Sequence, residues 1–211
     1  MKLDNIYSLY LVTDRRLLAG ADLAAAVEQA ILGGVTLVQL REKDASSRDF
    51  YQQAVSVKAI TTKYGVPLII NDRADIALAV DADGLHIGDE DLPLPAARRL
   101  LGPRKLIGVS AATLAEAKAT EAGGADYLGV GAVFPTATKN NADSVSLDDL
   151  RRITAAVSIP VVAIGGINET NISRVMTAGV AGAAVVSAII GRPDPCQAAR
   201  QLLALSRPDQ V

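Results

Sequence analysis

The chain has 211 residues, half of them hydrophobic, which is enough to fill one sizeable core, and a single domain spanning 1–211 is expected. Lysine plus arginine (21) nearly balances aspartate plus glutamate (23), so the basic excess that electrostatic binding to nucleic acid requires is absent and any bound anion must be met by local groups. One cysteine, Cys196, leaves no internal disulfide and no cysteine pair for zinc, and no apolar stretch approaches the length of a membrane span, so a cytoplasmic protein without a membrane partner is expected.

In chain order, the first apolar run is "LYLVTD" (9–14), followed by "DLAAAVEQAILGG", whose apolar residues recur at helical spacing and which closes on glycine. The pattern then repeats. "TLVQLRE" (36–42) precedes the amphipathic "SRDFYQQAVSVKAITTKYG"; "PLIIND" (67–72), "GLHIG" (84–88) and "KLIGVS" (105–110) come next; and "LAEAKATEAGG" leads to "DYLGVGAVF" (126–134). "PVVAIGG" (160–166), "NISRVMTAG" and "GAAVVSAI" (182–189) complete the series, and the tail "SRPDQV", from about 206, is expected to fray. Runs that are apolar throughout, rather than alternating, predict strands covered on both faces, as in parallel sheets with helical layers. Eight such units in this length predict an α/β fold, a closed (β/α)₈ barrel. An open doubly wound sheet is the alternative. It is disfavoured by the unit count and by "VTDRRLLAGAD" standing where a glycine-rich dinucleotide fingerprint would follow the first strand.

Barrels of this kind place their sites at the C-terminal ends of the strands, so the residues that end each run matter most. Run two ends in Gln39, Arg41, Glu42 and Lys43, run three in Asn71, Asp72 and Arg73, and run four in His86 followed by Asp89, Glu90 and Asp91. Run five ends at Ser110, and run six opens into a long polar loop with Thr136, Thr138 and Lys139. Run seven ends in Gly165 and Gly166, run eight in Val186 and Ser187. Any one of these alone reads as a solvated loop, and His86 reads equally as an interior histidine or as a ligand contact. Together they converge on one rim. Paired glycines beside a small hydroxyl suit a phosphate held on backbone N–H groups. Asp72 and Asp91 end neighbouring runs, and two close carboxylates repel unless a proton or cation lies between them, which suits Mg²⁺. Arg41 and Lys43 would add positive charge for a diphosphate. Two anionic small-molecule substrates are therefore expected.

The motifs "YLVTDR", "VQLREKD", "LIINDRADIAL", "DGLHIGDED", "IGVSAAT", "GADYLGVGAVFPTATK", "VVAIGGI" and "VVSAI" resemble the thiamine phosphate synthase family, in order, over roughly residues 9–190. The resemblance implies a (β/α)₈ barrel that joins an aminopyrimidine diphosphate to a thiazole phosphate with loss of pyrophosphate. It further implies that Gln39, Leu40, Arg41, Glu42, Lys43, Asn71 and Ser110 meet the pyrimidine diphosphate, and that Asp72 and Asp91 ligate Mg²⁺. Thr136, Ala137, Thr138, Gly166, Val186 and Ser187 would meet the thiazole phosphate, and Lys139 the diphosphate. Lys139, Ser110 and Arg41 are the expected catalytic groups, and a homo-oligomer is compatible with this reading.

Some positions depart from the family pattern. Asp89 stands where glutamine is common, Ala112 where histidine or asparagine often follows, and Ala132 where proline is frequent, while the loop after Lys139 reads "NNADSVSL". Two other functions compete. A thiazole tautomerase would rely on histidine chemistry, against which a single histidine and the retained acid pair argue, and a non-catalytic phosphate-binding barrel would not need the metal and diphosphate groups together.

Overall fold

The computed structural model describes residues 6–18, 20–136 and 144–206. Eight parallel strands alternate with helices: β1 (Leu9–Val12), α1 (Leu23–Leu32), β2 (Leu37–Leu40), α2 (Ser47–Tyr64), β3 (Leu68–Asn71), α3 (Ala74–Ala79), β4 (Gly84–Ile87), α4 (Leu94–Leu101), β5 (Leu106–Ala111), α5 (Leu114–Ala122), β6 (Tyr127–Val130), α6 (Leu147–Ala156), β7 (Val161–Ile164), α7 (Ile172–Met176), β8 (Gly182–Val185) and α8 (Pro195–Leu205). A short 3₁₀ turn, Arg15–Leu18, follows β1. The strands pair in sequence order, and β8 returns to β1 with Tyr10 opposite Ala184, so the sheet is a closed barrel. This is the expected (β/α)₈ architecture, and the open-sheet alternative falls away. No helix among the described residues is long and apolar enough to cross a membrane.

Local chemistry sets the helix ends. Asp22, Ser46, Ser146 and Asp194 each accept a backbone N–H from the first turn of α1, α2, α6 and α8, and Thr113 with Glu116 forms a reciprocal capping box on α5. The last turn of α2 closes on Gly65 at φ 66°, a left-handed conformation that glycine adopts without a Cβ penalty.

Strand alternation divides the barrel into two layers. Leu9, Leu11, Val38, Leu40, Leu68, Ile70, Leu85 and Leu128 point outward into one apolar layer shared with the helices. Burying a leucine or isoleucine contributes about 1.5–3 kcal/mol, so this layer supplies most of the fold's stability and leaves the interior free to carry polar groups. Inside, Ile6, Tyr7, Tyr10, Leu37, Ile69, Tyr127 and Val162 close the lower part of the barrel as a second cluster. Its centre is aromatic: the rings of Tyr7 and Tyr127 lie 5.1 Å apart at 41°, and Tyr10 meets Tyr127 edge-on at 6.1 Å. Room for them comes from glycine. A Cβ on Gly108 would sit 2.0 Å from the Tyr127 ring, and one on Gly129 would sit 3.0 Å from the His86 ring.

The runs read from sequence are longer than the strands. "DYLGVGAVF" ends as a strand at Val130, and Gly131 then lies so close to β7 that a Cβ would sit 1.9 Å from the Ile164 carbonyl oxygen. Val133 and Phe134 then donate their N–H groups to Ile164 and Gly165, which pins the base of the following loop onto the end of β7.

Candidate active site

Above the aromatic plug, the C-terminal strand ends surround a cavity of about 740 Å³. Inward alternation on β2 and just beyond it brings Gln39, Arg41 and Lys43 to its wall, while Asn71, Asp72, His86 and Ser110 reach it from β3 to β5. On the far side lie Thr136, Gly166, Val186 and Ser187. The structure therefore gathers these predicted residues, together with Asp91, around one space.

Two predicted positions face elsewhere. Leu40 is fully buried in the outer apolar layer. The Glu42 side chain, 5% exposed, pairs with Arg15 at 3.1 Å, and its Oε1 is buried without a hydrogen-bond partner among the described residues. Burial, opposed by Arg15, raises the Glu42 carboxyl above the ordinary value. The period of two explains both, since every second residue of β2 and its extension points away from the interior. Ala137, Thr138 and Lys139 lie outside the described residues, as does most of "NNADSVS". Within that stretch Val145 is buried and donates its N–H to the Ala132 carbonyl, and Ser146 caps α6.

The acidic corner has a defined shape. Asp72 sits at φ 63°, a left-handed conformation uncommon for a residue with a side chain, and the turn is held by Arg73 N–H donating to the Asn71 carbonyl at 2.7 Å across it. Asp72 N–H also donates to the His86 carbonyl, tying the turn to β4. Strain of this kind persists where the surroundings enforce it, commonly at functional sites. The turned carboxylate accepts from the Lys43 ammonium, and its charge acts on the neighbouring Asp91. Asp91 in turn accepts the Gly88 N–H at 2.7 Å. Burial first, and then the neighbouring Asp72, raise the Asp91 carboxyl, against the Gly88 N–H and Lys43, which lower it. Asp89 lines the same corner. Among the described residues, no group of three or more histidine, cysteine, aspartate or glutamate side chains is placed to hold a metal ion. Two facing carboxylates suffice for Mg²⁺, which keeps several waters and shares substrate phosphates, so the donor set fits that ion.

The opposite side is made of backbone. Gly165 and Gly166 have φ 101° and 61°, and a Cβ on Gly166 would lie 2.6 Å from the Pro135 carbonyl oxygen, so only glycine lets the 134–135 segment pack there, and both glycines border the cavity. Asn171 donates its side-chain amide to the Gly166 carbonyl at 3.0 Å and fixes that peptide.

His86 is an interior histidine that also borders the cavity. Its ring lines the cavity, and it also belongs to an interior chain, with Nδ1 3.1 Å from Tyr127 Oη and Nε2 3.1 Å from Ser110 Oγ. Tyr10 and Tyr127 were missed from sequence. They sit at inward positions of β1 and β6, and the signal that could have found them is two of only five tyrosines inside otherwise aliphatic strands.

The sequence model of the family described as thiamine monophosphate synthase matches residues 9–189. Thiamine-phosphate synthase of Alkaliphilus oremlandii is 57% identical over 198 residues, covering 94% of this chain and 95% of that protein. The protein of the same name from Desulfitobacterium hafniense is 52% identical over 202 residues, 95% of this chain and 98% of its own. Among solved structures, thiamine phosphate pyrophosphorylase from Pyrococcus furiosus superposes with a TM-score of 0.91 at 41% identity, covering 99% of this chain and all of that one.

Proposed function

The chain belongs to the thiamine monophosphate synthase family and is a transferase of thiamine biosynthesis, joining 4-amino-2-methyl-5-(diphosphooxymethyl)pyrimidine to the nitrogen of 4-methyl-5-(2-phosphooxyethyl)thiazole with release of pyrophosphate, and from that premise we propose how its residues divide the work. The observation that carries the proposal is the division of one cavity into an acidic and cationic corner on β2 to β4 and a glycine-lined corner on β7 and β8.

The pyrimidine ring rests on Gln39, Asn71 and Ser110. Its diphosphate points to Arg41 and Lys43, the guanidinium able to bind two oxygens and the ammonium acting as a point charge. Asp72 and Asp91 would hold Mg²⁺, which supplies positive charge against the departing pyrophosphate. Stabilising that charge is the central demand, because the aminopyrimidine can push electron density toward its exocyclic methylene, and preorganised groups facing a developing anion are often the largest catalytic contribution. The thiazole phosphate lodges on the backbone at Gly166, Val186 and Ser187 with Thr136, so that the ring nitrogen is held over the methylene carbon. The carbon–oxygen bond to the diphosphate breaks, the nitrogen lone pair forms the new carbon–nitrogen bond, and no protein nucleophile takes part. Ala137, Thr138 and Lys139 complete the assignment, Lys139 facing the diphosphate. Every residue named comes from one chain, and the reaction is assigned to the cytoplasm.

Mixing both phosphorylated heterocycles with the protein, with and without Mg²⁺, tests this by mass detection of thiamine phosphate. Product dependent on the metal supports the assignment; absence of product in both mixtures overturns it.

A further inference from the structure

A hydrogen-bonded chain crosses the barrel beneath the cavity. Gln39 Nε2 lies 2.8 Å from Tyr10 Oη, Tyr10 Oη lies 2.8 Å from Tyr127 Oη, and Tyr127 Oη lies 3.1 Å from His86 Nδ1, whose ring reaches Ser110 Oγ through Nε2 at 3.1 Å. Five strands contribute one member each: β2, β1, β6, β4 and β5. All five members line the cavity wall, and Gln39 and Ser110 stand at the two ends of the chain. Two of the three inner members are shut off from water, with Tyr10 2% and Tyr127 0% exposed, so their protons cannot turn to it instead, while the His86 ring is partly exposed to the cavity. Burial also raises both phenols far above their ordinary value, which keeps the hydroxyls protonated.

The number of protons is fixed, and that limits what the ends can do. Each hydroxyl carries one proton, a neutral imidazole carries one, and an amide has one donor end and one acceptor end. Two directions satisfy every link. In the first, the Gln39 amide NH₂ donates to Tyr10, Tyr10 to Tyr127, Tyr127 to His86 Nδ1, and His86 Nε2–H to Ser110. The cavity then receives the Gln39 carbonyl as acceptor and the Ser110 proton as donor. In the second, every bond is reversed, the amide is turned by half a rotation, and the cavity receives the Gln39 NH₂ as donor and a Ser110 lone pair as acceptor. Amide nitrogen and oxygen exchange places in such a flip, so both directions use the same heavy-atom positions.

We propose that Tyr10, Tyr127 and His86 are positioning residues that couple Gln39 to Ser110, so that with a neutral His86 ring the two ends never offer the cavity two donors at once. This rests on the assignment of Gln39 and Ser110 to the pyrimidine ring. An aminopyrimidine presents the matching pair, an N–H donor on the amino group beside an acceptor ring nitrogen. A ring that presents two acceptors leaves one contact mispaired in either direction, and buried polar groups left without a partner are what make a site reject an analogue. Cutting the chain in the middle frees each end to choose its own direction.

The test compares binding of the aminopyrimidine diphosphate and its 4-methoxy analogue, which has acceptors at both positions, by calorimetry without the thiazole phosphate. Wild type, Tyr127→Phe and Tyr10→Phe are measured; each variant keeps the ring and removes one hydroxyl with both of its hydrogen bonds in the chain. Wild type is expected to prefer the amino compound strongly, and each variant to shrink that preference about tenfold or more, because the bulk of the methoxy group is common to all three proteins. The KM for the thiazole phosphate is expected to stay unchanged, which a general loosening of the barrel would not leave intact. Two independent cuts guard against one variant failing to fold. An unchanged preference in a folded variant overturns the coupling. Failure of wild type to form thiamine phosphate overturns the functional assignment instead, while the binding preference still decides the coupling.

Discussion

The Lys43 ammonium bonds directly to the Asp72 carboxylate, joining the ends of β2 and β3 at the cavity rim. The pair is partly exposed, 50% on the lysine side chain and 19% on the aspartate, and ion pairs in such settings contribute about 0–1 kcal/mol. It is therefore weak enough to be exchanged, the carboxylate turning to Mg²⁺ and the ammonium to the diphosphate. Lys43→Ala is expected to lower kcat/KM for the pyrimidine diphosphate about a hundredfold, the scale of one lost electrostatic contact. Thermal melting should barely move. A variant that melts far lower but turns over normally when folded would contradict this role.

Asp91 is raised by its burial and by Asp72 beside it, so the two carboxylates hold each other under repulsion that a cation relieves. Asp91→Asn removes that repulsion and keeps an acceptor for the Gly88 N–H. In the presence of EDTA the variant is expected to melt above wild type, and added Mg²⁺ with pyrophosphate should raise wild type but leave the variant unmoved. Turnover should fall by about two orders of magnitude or more. Equal stabilisation of both proteins by the metal would exclude Asp91 as a ligand.

Gly166 has φ 61°, and a Cβ there would lie 2.6 Å from the Pro135 oxygen and 2.8 Å from Phe134 Cβ. Gly166→Ala should cost about 1–2 kcal/mol from the left-handed backbone alone. Its kinetic signature should be selective, with KM for the thiazole phosphate rising about tenfold or more while binding of the pyrimidine diphosphate holds. Steady-state kinetics with each substrate varied in turn makes the distinction.

Glu42 gives a stability prediction with a definite sign. Its carboxyl is raised in the folded chain, chiefly by burial, so the folded state holds the proton more tightly than the unfolded state. The stabilising contribution is thus fully present below the unfolded carboxyl value of about 4.3 and is lost as pH rises through the raised folded value. Glu42→Gln, neutral at every pH, is expected to melt above wild type near neutrality, with the gap closing as pH falls toward about 4. Melting temperatures measured across that range decide it. A gap that widens on acidification would show that the Arg15 pair outweighs burial.

The barrel could be read from sequence because its strands are buried on both faces, and aliphatic runs such as "PLIIND" carry that condition openly. Strand ends were less visible. Beyond β6, Gly131 lies against the Ile164 carbonyl, a contact between segments more than thirty residues apart that the run itself does not announce. The acid pair, the cations of β2 and the paired glycines were readable as residue types at strand ends, but contiguous stretches do not say which members face inward. Gln39, Arg41 and Lys43 do so while Leu40 and Glu42 do not, although a period of two already implies it. The interior chain was not readable at all. Tyr10 and Tyr127 pass for apolar filler in their runs, and only the closed register brings residues 117 apart in sequence to a shared hydrogen bond.

The aromatic plug has a kinetic consequence. With Tyr7, Tyr10 and Tyr127 filling the lower end, the cavity is closed from below among the described residues, and a ligand bound for its floor beside Gln39 and Ser110 enters past the strand ends. Crowding at those strand ends therefore slows entry to the floor and exit from it alike.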